Sequence, residues 1–259
     1  MMRPLYLDSG LDWQVRLDDG PSLHVSASGR ARSLFRISRL SRVISPARAR
    51  WDTDALLACL RAGVPVLFID AKGETVGWCF GSRKRESTLA NLLRIAVDEP
   101  DGGTWIRDWE RAAARREVMA TFRAIGLCGL HSSEHLEAAG ARSRLCNWHR
   151  RRLGWAVGPW LHCLERYSEA LAAEQLQEHV GDSGLIAHAS PGIHLGLILS
   201  GLLQWRLHRI IDCSPAAGML AVDPGRWAAT AIEQHGTPLR LAAGALIGSL
   251  ESVLRERMG

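Results

Sequence analysis

Near residue 80 the spacing of apolar residues changes from two to between three and four, and this change limits what the chain can fold into. Before it, Leu11, Trp13, Val15 and Leu17 alternate as in a half-buried strand, and Asp18-Asp19-Gly20-Pro21 turns the chain toward Leu23-His24-Val25-Ser26, the return arm of a hairpin. Leu5-Tyr6-Leu7 is a short apolar stretch closed by Asp8-Ser9-Gly10. Phe35, Ile37 and Leu40 lead into Val43-Ile44 as another strand pair. One helix interrupts the strands. Asp52 or Thr53 caps it, Leu56, Leu57 and Leu60 form its apolar face, and Gly63 ends it. Val64 to Asp70 follows as a buried strand, Ala71-Lys72-Gly73 reverses the chain, and Thr75 to Phe80 runs back.

After Gly81-Ser82-Arg83-Lys84-Arg85 only helical spacing remains, beginning with the stripe Leu89, Leu92, Leu93, Ile95. A loop spans Asp98 to Gly103, and a long helix runs from Trp105 to Leu127. Further helices are expected at about 133–151, 156–180, 192–211, 225–235 and 238–257, with Pro191 and Pro224 just inside two of the starts. The expected class is α+β: a small N-terminal β-sandwich-like domain over 1–82 and a larger all-α domain over 83–259. No phosphate loop of a Rossmann fold, P-loop NTPase or TIM barrel is present.

The 259 residues suit one large domain or two smaller ones, and 47% hydrophobic with 23% charged residues is ordinary globular usage. The longest apolar stretches, Ile193 to Leu203 and Val64 to Ile69, are too short or too interrupted to span a bilayer, and the first residues lack the apolar core of a signal peptide. A soluble, cytoplasmic protein without a membrane partner is expected. None of the six cysteines (59, 79, 128, 146, 163, 213) is spaced C-x-x-C from another, so free thiols are expected in place of a zinc ribbon or disulfide framework.

The formal charge is +5, and of 32 basic residues only Lys72 and Lys84 are lysine. Arginine binds phosphate through two parallel hydrogen bonds. Arg107, Arg111 and Arg115 share one helix face, Arg116 and Arg123 a neighbouring one, and Arg150-Arg151-Arg152 forms a second cluster flanked by Trp148 and Trp155. These are candidate contacts to DNA phosphates, although the interspersed Asp108, Glu110 and Glu117 equally fit a solvated helix. The groups His131, His135, His149 and His188, His194 have no recognised ligand spacing, and neither a G-x-S-x-G elbow nor a catalytic-cysteine context is present.

The segment from Arg42 to Gly81 resembles the Cas1 family, the CRISPR-associated integrase of spacer acquisition. The matching pieces are Arg42-Val43-Ile44, Ala55-Leu56-Leu57, Ala62-Gly63-Val64-Pro65-Val66-Leu67-Phe68-Ile69-Asp70, Gly73 and Gly77, and Leu5-Tyr6-Leu7 resembles the family's first strand. The resemblance implies a β-sandwich domain ahead of a helical catalytic domain, a homodimer formed through the former, double-stranded DNA as substrate and a small second protein of the adaptation complex as partner. It also implies a Mg²⁺ or Mn²⁺ ion held by a Glu at a helix start, a His after a glycine-containing turn and an acid in a D-x-x-[DE] helix, activating a DNA 3′-hydroxyl or water.

In the helical half the match is looser. Leu136 to Arg142 resembles the Glu segment, making Glu137 the first ligand, and Pro215 to Ala221 resembles the turn, which puts Ala221 in the histidine position. Trp227 to Glu233 resembles the acidic helix, with Thr230 in place of the first acid and Glu233 keeping the second. On this alignment Glu137 and Glu233 are the surviving catalytic and metal-binding candidates, and strand transfer is impaired or lost, since a methyl group ligates nothing. Two alternatives stand beside this. In one the enzyme is active, with His235, His208 or Asp212 as a displaced ligand. In the other the fold is reused by a structural or interaction protein that does not bind nucleic acid.

Overall fold

In the computed structural model, which describes residues 2–8, 10–81, 87–127, 138–153, 157–187, 192–213 and 223–259, the change of period divides strands from helices as expected. The strands are β1 (Arg3–Tyr6), β2 (Trp13–Leu17), β3 (Ser22–Ala27), β4 (Ser33–Arg36), β5 (Leu40–Pro46), β6 (Arg50–Trp51), β7 (Val66–Ile69) and β8 (Thr75–Cys79). One helix, α1 (Thr53–Arg61), lies among them.

The strands form two four-stranded sheets, ordered β1-β5-β7-β8 and β4-β3-β2-β6. The hairpin expected around Asp18 to Pro21 is the antiparallel pair of β2 and β3, with Val15 opposite Val25 and Leu17 opposite Leu23. The alternation explains the pairing. Val15, Leu23 and Val25 all point into a core shared with Leu5, Val43 and Val66 of the other sheet, and with Ala55 and Cys59 of α1. Each such side chain contributes about 1.5–3 kcal/mol by leaving water. Helix α1 ends on Gly63, whose φ of 71° places it in the left-handed region that favours glycine. There the Val64 amide donates to the Cys59 carbonyl and the Gly63 amide to that of Leu60.

One pairing differs from expectation. The stretches around Phe35 and Val43-Ile44 do not pair with each other: β4 joins β3, a 3-10 turn at Ile37–Arg39 redirects the chain, and β5 enters the other sheet parallel to β1 and β7. Burial explains the choice. Every residue of β5 is buried, because the sandwich core covers one face of its sheet and a helix the other. Ile44, Leu67 and Ile69 pack there against Ala170.

The helices are α2 (Thr88–Asp98), α3 (Gly102–Ala124), α4 (Ala138–Leu153), α5 (Gly158–His179), α6 (Ser183–Ala187), α7 (Leu195–Cys213), α8 (Pro224–Gln234) and α9 (Gly236–Met258). Helix α5 is central. It packs on the outer face of the β1-β5-β7-β8 sheet and against α7 and α8. Leu164 and Leu171 join Leu199, Leu203, Ile232 and Leu246 in the larger core. The short α6 was not legible from the spacing, and α9 starts two residues earlier than expected, directly after α8. Pro224 opens α8 under an Asp223 side chain that accepts from the Arg226 amide at 3.0 Å, so the proline's missing N–H costs the helix nothing. Pro191 lies outside the described residues. No described helix is long and apolar enough to cross a membrane. The five described cysteines are free, and burial pushes the Cys59 thiol up to about 12.

A close approach joins the two parts. A Cβ added at Gly196 in α7 would lie 2.8 Å from the ring of Trp78 in β8 and 2.9 Å from that of His194. Gly196→Ala is therefore expected to cost about 1–3 kcal/mol through overpacking, read as a lower urea midpoint with an unchanged m-value.

Candidate functional site

Only part of the anticipated metal site lies in the described structure. Glu137 and Ala221 fall outside the described residues, as do His131, His135, His188, Trp155, Cys128 and Arg83-Lys84-Arg85. Thr230 and Glu233 are exposed on α8. The Thr230 hydroxyl donates to the Arg226 carbonyl of its own helix at 3.0 Å and, being a neutral hydroxyl, offers a divalent ion much less than the carboxylate it stands in for. The Glu233 carboxylate lies near enough to Tyr6 to act on its hydroxyl.

Two of the three alternative ligands, His208 and Asp212, are engaged elsewhere. His208, on α7, is buried and stacks on His149 of α4, with the rings 6° from parallel and Nε2 of His149 3.2 Å from Nδ1 of His208. Burial lowers His149 to about 4 and His208 to about 3, so both rings are neutral near pH 7. Asp212 pairs with Arg152 at 2.8 Å. A divalent ion needs several oxygen or nitrogen donors at one point. Among the described residues no three His, Cys, Asp or Glu side chains supply such a point, so these donors alone do not fit Mg²⁺ or Mn²⁺.

Helix α5 carries carboxylates that the sequence pattern did not single out. Glu165 pairs with Arg142 at 2.8 Å, Glu169 with Arg166 at 2.6 Å and with the Thr75 hydroxyl, and Glu174 with Arg42 at 2.5 Å and Arg240 at 2.9 Å. Burial raises Glu165 and Glu169, against the pull of Arg142 and Arg166 respectively and, for Glu169, of the Thr75 hydroxyl. Burial also opposes the charge on Glu174, yet Arg42 and Arg240 together hold its carboxyl below the usual carboxylate range. Arg42 additionally donates to the Tyr6 hydroxyl at 3.0 Å. Of these contacts, Glu174 with Arg42 and Glu169 with Thr75 fasten α5 to the β1-β5-β7-β8 sheet. These two join residues far apart in sequence, and that separation hid them.

The arginine faces are exposed on their helices. Arg107 and Arg111 lie in the first half of α3, Arg115 and Arg116 just past its middle, and Arg123 near its end. Arg111 is paired with Asp108 at 2.5 Å. Arg150, Arg151 and Arg152 close α4, where positive charge also suits the helix dipole. Arg152 is turned onto Asp212 and the ring of Trp148, 5.0 Å from the ring centre, so it is more committed than its two neighbours. Helices α3 and α4 meet through Val118, Phe122 and Ile125 against Ala141 and Leu145. Arg107 to Arg115 precede that contact on α3, and Arg150 to Arg152 follow it on α4.

The described residues also enclose a cavity of about 630 Å³ between the β-rich and helical parts, bounded by the end of β1, the β7–β8 turn, α5 and the start of α8. It is lined by Tyr6, Arg30, Lys72, Arg166, Tyr167 and Arg226 among others. Five separate segments build it, the β3–β4 turn supplying Arg30, and no local motif marks it.

Neither a family model nor a curated protein sequence matches the chain. Solved structures do. TM1797, a CAS1 protein from Thermotoga maritima, aligns with a TM-score of 0.73 at 11% identity over 97% of both chains. A casposase bound to integration product aligns at 0.66 and 11% identity, over 97% of this chain and 91% of the other. TtCas1 in its complex with DNA aligns at 0.59 and 15% identity, over 95% and 91%. Over nearly its whole length the chain has a Cas1-like fold, as the resemblance at Arg42 to Gly81 implied.

Proposed function

We propose that this protein is a DNA-binding relative of the CRISPR adaptation integrase whose metal-dependent strand transfer is impaired or lost. The observation that carries the reading is the likeness to Cas1 proteins and a casposase over nearly the full length, two of those structures being complexes with DNA or its integration product. Exposed arginines along α3 and at the end of α4 supply the phosphate-binding chemistry that duplex DNA requires. The impairment follows from the donor set. Thr230 offers a neutral hydroxyl in place of a carboxylate, Ala221 offers only a methyl group, and Glu137 and Glu233 are too few to hold Mg²⁺ or Mn²⁺ firmly. In this reading the protein is cytoplasmic, dimerises through its β-rich part over 1–82, binds double-stranded DNA with the helical part over 83–259, and acts beside the small second protein of an adaptation complex. The exposed edge strand β4, with Leu34 61% exposed, suits self-association.

The test measures duplex binding across a salt series and strand transfer in Mn²⁺. Binding is expected to weaken steeply with salt, with the triple substitution of Arg107, Arg111 and Arg115 by glutamate lowering affinity at least about tenfold and flattening the salt slope. No strand-transfer product above background is expected. Robust turnover that disappears in Glu137→Ala would establish the active-enzyme alternative. A flat binding curve at low salt, alike for wild type and Arg111→Glu, would establish the interaction protein instead.

A further inference from the structure

The cavity between the β-rich and helical parts combines unspent positive charge with an adjoining aromatic recess. Its walls carry Arg30, Lys72, Arg166 and Arg226 against two carboxylates, Asp8 and Asp223. Both carboxylates are engaged locally, Asp8 by the Gly10 amide at 2.7 Å and Asp223 by the Arg226 amide at 3.0 Å. Arg166 is held by Glu74 and Glu169 at 2.8 and 2.6 Å, but its Nε is buried with no hydrogen-bond partner. Arg30, Lys72 and Arg226 form no ion pair with a described residue. These three unpaired cations outnumber the two carboxylates on the cavity wall, and the net positive lining favours an anion there.

A second cavity of about 330 Å³ adjoins the first, sharing Tyr6, Leu7 and Arg30 with it, and is walled by Trp13, Phe35, Leu5 and Val25. An occupant spanning both would be anionic at one end and flat and apolar at the other. The larger cavity lies within the size range of small-molecule sites, and aromatic walls suit the face of a base. From this we infer that the cavity pair binds a nucleoside phosphate, its phosphate between Arg30 and Arg226 and its base in the recess beside Trp13 and Phe35. The site is separate from the arginine faces of α3 and α4 and does not depend on them. The ligand is either a free mononucleotide or the 5′-phosphorylated end of a DNA strand, which present the same chemistry.

Calorimetric titration in a phosphate-free buffer separates the cases, with thymidine 5′-monophosphate, a 5′-phosphorylated dT tetramer, thymidine and inorganic phosphate as probes. At least one of the two phosphorylated nucleotide probes is expected to bind at least about tenfold more tightly than thymidine or inorganic phosphate, because only these fill both ends. Arg30→Glu with Arg226→Glu is expected to weaken it by about tenfold or more, and Arg150→Glu with Arg151→Glu to leave it within about twofold. Equal affinity for both probes assigns a free nucleotide; tighter binding of the tetramer assigns a strand end. The inference is overturned if neither phosphorylated probe binds, if thymidine or phosphate alone binds as tightly, if the Arg30/Arg226 variant binds like wild type, or if only the Arg150/Arg151 variant loses binding. All four arginines are exposed and form no described ion pair, so the variants should fold, and circular dichroism checks this. Should the Arg30/Arg226 variant fail that check, Lys72→Glu must weaken nucleotide binding for the inference to stand. Duplex binding measured in parallel keeps the two readings apart: its loss with nucleotide binding intact sinks only the proposed function.

Discussion

Replacing Glu174 by alanine is expected to lower the unfolding free energy by about 3–5 kcal/mol, the usual cost of removing one partner from a buried ion pair. Arg42 is 1% exposed and sits in β5, beneath α5. Its guanidinium reaches Glu174 and the Tyr6 hydroxyl, and its Nε already lacks a partner. Without the carboxylate, a buried cation faces only a phenol. Arg240 is more exposed, so Arg240→Ala is expected to cost clearly less, on the order of 1 kcal/mol. Arg42→Met combined with Glu174→Leu is expected to recover most of the loss, since apolar groups of similar volume often replace a buried pair without penalty. Urea melts at pH 7 measure all three. A Glu174→Ala midpoint close to that of Arg240→Ala would show that the junction does not depend on this carboxylate. The pair also has an acid limit. The folded pKa of Glu174 lies below its unfolded value, so its contribution is complete above the unfolded pKa and is lost as pH falls through the folded one.

The same junction shows how far the sequence could be read. The apolar spacing of Val15 and Leu17, the turn at Asp18 to Pro21 and the cap at Gly63 are local signals, and each produced the element it implied. The switch from period two to helical spacing near residue 80 was equally local, and it separated the sheets from the helices. Pairing between β4 and β5 was not local. Whether Val43-Ile44 turns back on Phe35 or enters a second sheet depends on α5, about 120 residues later, covering Ile44, Leu67 and Ile69. A run of apolar residues in β5 signals burial without naming what covers it.

The candidate site divides along the same line. Regular i, i+4 spacing made the α3 arginines legible as one face, and they are exposed together. The resemblance placed Thr230 and Glu233 on one helix, and they lie on α8. Spacing could not show that Arg152 turns onto Asp212 and Trp148, because that contact joins α4 to α7. Nor could it show the cavity lined by Arg30, Lys72 and Arg226, whose lining comes from the end of β1, the β3–β4 turn, the β7–β8 turn, α5 and the start of α8. Glu174 illustrates the limit most plainly. On a helical wheel it resembles any charged residue of α5, and only the fold places it between Arg42 and Arg240.

The buried histidine pair sets the second large expectation, a loss of stability in mild acid. His149 and His208 are 0% and 2% exposed, with Trp148 edge-on to His149 and Trp205 stacked on His208. Burial is the main force lowering both; Arg152 adds to it at His149 while Asp212 pulls the other way, and each of His149 and Arg142 adds to it at His208. An unfolded histidine takes its proton near 6.5, whereas the folded pair resists until about 4 and about 3. Between those limits the unfolded chain binds more protons, so stability falls as pH falls and is fully present only above 6.5. Each histidine contributes a slope of about 1.4 kcal/mol per pH unit in that window. With two of them, the drop between pH 6 and 5 is expected to be about 2–3 kcal/mol, visible as a falling urea midpoint. Stability falls with falling pH here as it does for Glu174, but for the opposite reason: the fold excludes the charged form of the histidines, whereas it favours the charged form of Glu174. Replacing both residues by glutamine is expected to flatten the pH 5–7 profile at some cost in stability at pH 7, because the amide groups occupy the same buried space without titrating. Proton NMR of the native protein gives a direct check independent of any variant. The imidazole signals of His149 and His208 are expected to hold their neutral positions down to pH 5, and a midpoint near 6.5 for either would mean that the rings are solvated and the acid sensitivity has another source.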